Sequence, residues 1–291
     1  MKNAFALMIA SVMLYAVNGT IDYVVVSKLP LSATMVSIGF GILIGFIATK
    51  LIFRLRVKAE TKRQYAFGVI TALMITAYAL PLLIAYKSYT LASVYPLVGL
   101  SALVFFAIDT IKYRKFLKPS SAAILLAGVL LIVIGIFYAE SNKYSFQAGT
   151  LPFIFLIALF AGTGYYMEFY RIKKYSIGTK MLFQPIFLIA TGLFFAWPVY
   201  ALNSYFVLGI FGGFAFAFAS VMELRAMKMT KARGKANMLI KRNFINDFEY
   251  SDTLLVLLGS VIIGSFYPVE IFGGILIVAG IIVISWLSNS A

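Results

Sequence analysis

Apolar runs of about 20 residues recur along this chain, and each can cross a hydrocarbon core of about 30 Å. Short connections separate the runs, and positive charge collects in every second connection. Together these features restrict the chain to one class of fold, a polytopic helical membrane protein. A soluble domain carries about 25% charged residues. Here 12% of 291 residues are charged and 62% are hydrophobic. Strands of membrane β-barrels alternate in segments of about 10 residues, and that pattern is absent. The first run, Met1 to Val26, reads as a span and not as a cleaved signal peptide. It has one early lysine, an apolar stretch too long for a signal core, and no small-x-small cleavage site.

Ten spans are expected, near 5–26, 31–53, 65–86, 91–111, 120–139, 149–170, 178–201, 205–227, 244–265 and 269–287. Basic clusters follow spans 2, 4, 6 and 8, beginning at Arg54, Lys112, Arg171 and Arg225. The other connections hold only Lys28, Lys87 and Lys143. Positive charge is retained on the cytoplasmic side. Both termini are therefore expected in the cytoplasm, in a multi-pass protein of the cell (plasma) membrane. The net charge of +15 lies in these loops, so nucleic acid is not an expected partner. The chain has no Cys and no His, which excludes disulfides, thiolate or imidazole metal sites and histidine proton relays.

The two halves look duplicated at an offset near 146 residues, with Asp22 matching Glu168, Lys28 matching Lys174 and Met35 matching Met181. The expected domains are a five-helix repeat over 1–143 and a second over 144–291. An odd number of spans per repeat inverts one half relative to the other. Secondary transporters commonly use this plan, with a central cavity between the halves. Gly39, Gly41 and Gly45 in span 2, and Gly212 and Gly213 in span 8, should let helices approach closely. Packing within the bundle is favoured over dimerisation, so a monomer or weak dimer is expected.

Several motifs bear on kinship. They are ASVYPLV at 92–98, FLKP at 116–119, G-x6-G at 128–135 and YPVEIFGGILIVAG at 267–280. With the span count and the repeat, the chain resembles the drug/metabolite transporter (DMT) superfamily, in particular its EamA-like ten-helix permeases. The Gly-Glu pair usual in that family is absent, with Lys115 and Ser265 near its place. The resemblance implies two inverted five-helix repeats around a central cavity, and export or exchange of amino acids or similar metabolites.

An ionisable side chain at membrane depth costs at least about 2.5 kcal/mol if it faces lipid, so it normally faces a cavity or a partner. Asp22 and Glu168 fall late in spans 1 and 6, and Lys87 and Lys228 late in spans 3 and 8. Asp22 with Lys87, and Glu168 with Lys228, are candidate gate pairs, and either carboxylate could take up a coupling proton. The alternative is that all four are interfacial charges with snorkelling lysines. Tyr15, Tyr78 and Tyr165 lie deeper than the other tyrosines and are candidate substrate contacts, as is Asn18 in span 1. Tyr23, Tyr86, Tyr89 and Tyr95 read as interfacial aromatics. Lys241 and Arg242 open span 9 and are similar to a phosphate-holding pair in sugar-phosphate transporters of the same superfamily. Acids follow them, including Asp252; acids lining the cavity would instead suit a cationic or zwitterionic solute.

The expected function is a secondary active transporter for a small organic solute, working by alternating access. No cofactor and no enzymatic activity are expected. No G-x4-G-K-[ST] motif for ATP occurs in the chain. The alternatives are a sugar-phosphate or nucleotide-sugar exchanger, and a lipid scramblase or channel.

Overall fold

The structure is a computed structural model. It describes residues 2–53, 61–98, 151–171, 177–195, 203–231 and 251–290, with isolated positions between 100 and 134. The helices are α1 (Lys2–Lys28), α2 (Leu31–Ile52), α3 (Lys62–Ser88), α4 (Leu91–Val98), α5 (Leu151–Arg171), α6 (Ile177–Phe195), α7 (Ser204–Lys231), α8 (Ser251–Ile262) and α9 (Pro268–Ser290). No strand occurs among the described residues. The expected span at 91–111 is described as a continuous helix only over α4, and most of the expected span at 120–139 lies outside the described residues.

Local sequence explains where the helices start and turn. Thr61 caps α3 through a reciprocal pair: its hydroxyl accepts from the Gln64 N–H at 3.3 Å, and Gln64 Oε1 accepts from the Thr61 N–H at 2.9 Å. Thr90 caps α4 by accepting from the Ser93 N–H at 3.3 Å. Gly264 takes φ +68° in the tight turn from α8 to α9, a conformation that costs glycine nothing sterically. The starts of α4 and α9 are tied together. Glu270 accepts from the Thr90 hydroxyl at 2.8 Å and from the Tyr267 N–H at 2.7 Å, while Ser265 accepts from the Leu91 N–H at 3.2 Å. Pro81, Pro96 and Pro185 lie inside α3, α4 and α6 without ending them.

Among the described residues, four stretches are long and apolar enough to cross a membrane: Ala4–Lys28, Leu31–Ile52, Lys62–Ser88 and Ser204–Ala226. Large apolar side chains point outward. Leu51, Ile52, Phe194, Phe211, Leu258 and Ile262 are each at least 60% exposed. Apolar surface of this kind suits a lipid solvent, where it carries no hydration cost.

The packing is interleaved. α1 lies along α7 and touches α8, α2 lies between α6 and α7, α3 runs against α5 and α6, and α4 meets α8 and α9. Glycine makes the closest of these contacts. A side chain at Gly41 would strike the Ile210 carbonyl and come within 2.9 Å of Gly213 Cα. One at Gly213 would strike the Ile38 carbonyl, and one at Gly45 would lie 2.7 Å from Ala217 Cβ. Gly192 is 2.8 Å from the Ser32 carbonyl by the same measure. The glycines singled out in the sequence thus serve packing within the chain. Because backbone blocks the added atom, relief requires helix displacement, and overpacking of this kind costs about 1–3 kcal/mol or more. Gly213→Val should therefore lower the thermal unfolding midpoint in detergent by several degrees, whereas Gly264→Asn, which meets no atom and strains only the positive-φ backbone that asparagine tolerates best, should lower it by less.

Candidate functional site

Polar side chains on an apolar helix must be satisfied inside the bundle. α1 carries four of them, one turn or so apart, on the face toward α7 and α3: Ser11, which donates to the Ala219 carbonyl at 2.9 Å, then Tyr15, Asn18 and Asp22. Asn18 is 8% exposed; its amide donates to Asp22 Oδ2 at 2.9 Å and to the Gly212 carbonyl at 3.3 Å. Tyr15 donates to Glu223 Oε2 at 2.7 Å. Its phenolic proton being used there, the Ser220 hydroxyl at 2.9 Å acts as donor to Tyr15. The Tyr15 ring also meets Phe216 edge-on at 5.6 Å between centroids. α8 contributes a second carboxylate to the interior: Asp252 accepts from the Tyr95 hydroxyl of α4 at 3.0 Å.

These groups surround one interior cavity of about 70 Å³, bounded by α1, α2, α3, α4, α6, α7 and α8. At roughly 10–15 Å³ per water, it holds about five waters. Its polar lining comprises Tyr15, Asn18, Asp22, Tyr78, Tyr86, Tyr95, Gln184 and Asp252. No Lys or Arg is among the lining residues. Three lining atoms have no hydrogen-bond partner among the described residues: Asp22 Oδ1, the Tyr86 hydroxyl and Gln184 Oε1.

A larger recess of about 650 Å³ opens at the C-terminal ends of α1 and α3. Lys28, Lys87 and Tyr89 line it, together with Tyr23 and Tyr86. Tyr86 borders both spaces and is 2% exposed, with its ring edge-on to Tyr23 at 5.7 Å. Tyr86 therefore lies between recess and cavity, with Tyr23 against it on the recess side. Nearer the N-terminal end of α1, Tyr15 and Phe216 line the cavity, and Tyr15 reaches Glu223 beside it.

The structure brings Tyr15, Asn18, Asp22 and Tyr78 into one cavity. It places Lys87, exposed, in the recess, where it forms no ion pair with Asp22; Tyr86 stands between the two spaces. Lys241 and Arg242 lie outside the described residues, as do the side chains of Tyr165, Glu168 and Lys228, whose backbones are helical. Sequence reasoning named Asp252 only as one of the acids that would line the cavity in an alternative reading, and missed Tyr86, Tyr95, Gln184 and Glu223 as site residues. Glu223 had a visible signal, an acid inside an apolar run five residues before Lys228. Tyr86 and Tyr95 had none beyond proximity to a helix break.

No protein-family model and no curated protein matches the chain. Among solved structures, the chain is similar over its full length to one described as "Crystal structure of protein", at a TM-score of 0.65 and 14% identity, covering 100% of this chain and 99% of that one. This likeness speaks to fold alone. The fold and cavity define the class: an all-helical protein, apolar on its outside, with a polar chamber between its helices.

The Tyr15 hydroxyl supplies a buried carboxylate with a donor, and removing such a donor costs about 1–3 kcal/mol. Tyr15→Phe should lower the unfolding midpoint in detergent by several degrees. Tyr65→Phe should leave it unchanged, since Tyr65 is 48% exposed and contacts Phe183 through its ring.

Proposed function

We propose that the protein is a secondary transporter that moves a small organic solute across the membrane by alternating access. The observation that carries this reading is the interior cavity, lined by polar side chains, bordered by Tyr86 toward the recess and built from helices of both halves of the chain. A pore would need a continuous path, whereas Tyr86 interrupts the route from recess to cavity.

The helix contacts support two inverted repeats. Matching α1, α2, α3 and α4 to α5, α6, α7 and α8 maps the α1–α7 contact onto α5–α3. It also maps α2–α7 onto α6–α3 and α1–α8 onto α5–α4, and all of these contacts occur. On this reading the chain is an EamA-like permease with ten spans, both termini cytoplasmic, in the plasma membrane. The recess then faces outward, and Tyr23 with Tyr86 forms the outer gate. Asp22 belongs to the cavity in this scheme, and Lys87 to its outer entrance. A carboxylate of the cavity can carry a coupling proton. The sugar-phosphate alternative draws no support from the described cavity, which offers a phosphate no cationic side chain.

The test is counterflow in proteoliposomes loaded with unlabelled solute. A transporter transiently accumulates labelled solute against its gradient, and Tyr86→Ala should suppress that accumulation by weakening the outer closure. Simple equilibration without overshoot in the wild-type protein would indicate a channel or scramblase.

A further inference from the structure

We infer that the cavity selects a small organic cation, a protonated amine with an apolar body and no free carboxylate. The inference rests on the transport reading for its meaning as a substrate site, but the binding it describes can be tested separately. Two carboxylates, Asp22 and Asp252, line one enclosed space, and Glu223 adjoins it through Tyr15. Among the described residues no lysine or arginine lines that space to neutralise Asp22 and Asp252. Charges held at membrane depth without a counter-charge are costly, and an ammonium ion supplies the missing charge.

The second line of argument comes from acceptors that the protein leaves unused. Tyr86 is 2% exposed and Gln184 is 3% exposed, yet the Tyr86 hydroxyl and Gln184 Oε1 have no hydrogen-bond partner among the described residues. Asp22 Oδ1 is shielded and likewise unpartnered, while Asn18 holds Oδ2 of the same group. Unpaired buried acceptors are unfavourable, and a small turn of these lining side chains would bring them to a donor in the cavity. An ammonium group has three N–H donors and no acceptor, which matches them. The remaining wall is aromatic and aliphatic: Tyr78, Tyr95 and Phe216 offer ring surfaces that attract cations, and Ile38, Ile42 and Leu188 accept an alkyl chain. A solute carboxylate would find no cationic partner here and would meet two acids. A bare metal ion is a poorer fit, since no group of three or more acidic, His or Cys side chains with ligand geometry occurs among the described residues.

The experiment measures binding of three near-isosteric probes to the full-length protein in detergent: n-butylammonium, butyrate and 1-butanol, with norvaline as the zwitterion and sodium chloride as the inorganic control. Ligand-induced shifts in the unfolding midpoint report affinity. Butylammonium should bind at least about tenfold more tightly than the other four, a gap worth 1.4 kcal/mol. Asp252→Asn and Asp22→Asn should each weaken it by about tenfold or more, in keeping with the loss of a charge-assisted bond. Should either variant fail to fold, the probe series on the wild-type protein still decides. Equal or tighter binding of butyrate, butanol, norvaline or sodium overturns the inference, as does the absence of any butylammonium shift. Uptake of labelled butylammonium into proteoliposomes separates the two claims. Binding without uptake refutes transport and leaves the cation site standing; counterflow of an anion or zwitterion with no amine binding does the reverse.

Discussion

The structure depends on how closely α2 approaches α7. Gly41 lies against the Ile210 carbonyl and Gly213 against the Ile38 carbonyl, so the two backbones meet with no side chain between them. In lipid, helices gain little from hydrophobic burial against each other, and close backbone contact through small residues takes its place. That contact joins the first half of the chain to the second. α1 is then held along α7 and α3 along α6, and the space left between these helices is the cavity.

The polar residues of the cavity follow from the same constraint. Within a bilayer a helix satisfies its own backbone, but its polar side chains need partners from other helices. Asn18 finds the Gly212 carbonyl because glycine there lets α7 come close. Tyr15 reaches Ser220 and Glu223 further along the same helix. Tyr95 reaches Asp252 on α8. Each pair joins α1 or α4 to a helix of the second half, so the cavity lining also holds the halves together. Asp22, Tyr86 and Gln184, each with an oxygen unpartnered among the described residues, line the space where a solute would sit.

Much of this was legible in the sequence. Apolar runs and their glycines marked the helices and their close contacts, because both depend on local composition. Tyr15 and Tyr78 stand out as deep tyrosines, Asn18 as a polar group within span 1 and Asp22 as a charge late in that span, and the four share one cavity. What escaped was the pairing between helices. Asp252 follows a basic and acidic stretch that reads as a polar helix start, yet α8 carries it inward to Tyr95. Tyr86 stands next to an exposed lysine at a helix end and reads as an interfacial aromatic, yet it is buried between recess and cavity. Lys87 and Asp22 look like partners by position along their helices, but neighbouring residues on a helix point about 100° apart, so Tyr86 turns inward where Lys87 turns out. Such facts depend on the rotation of one helix against another, which a single helix does not encode.

The central claim is that the cavity opens to one side at a time. The absence of native cysteine makes it directly measurable. A single thiol is introduced by Ala79→Cys in the cavity wall, and its reaction with a membrane-impermeant reagent is timed from each face of sealed vesicles, with and without Tyr86→Ala. Weakening the outer closure should speed labelling from outside and slow it from inside, because opening one gate draws the population away from the other. Rates that rise together from both faces, or an inside rate that does not respond, would contradict alternating access and point to a pore.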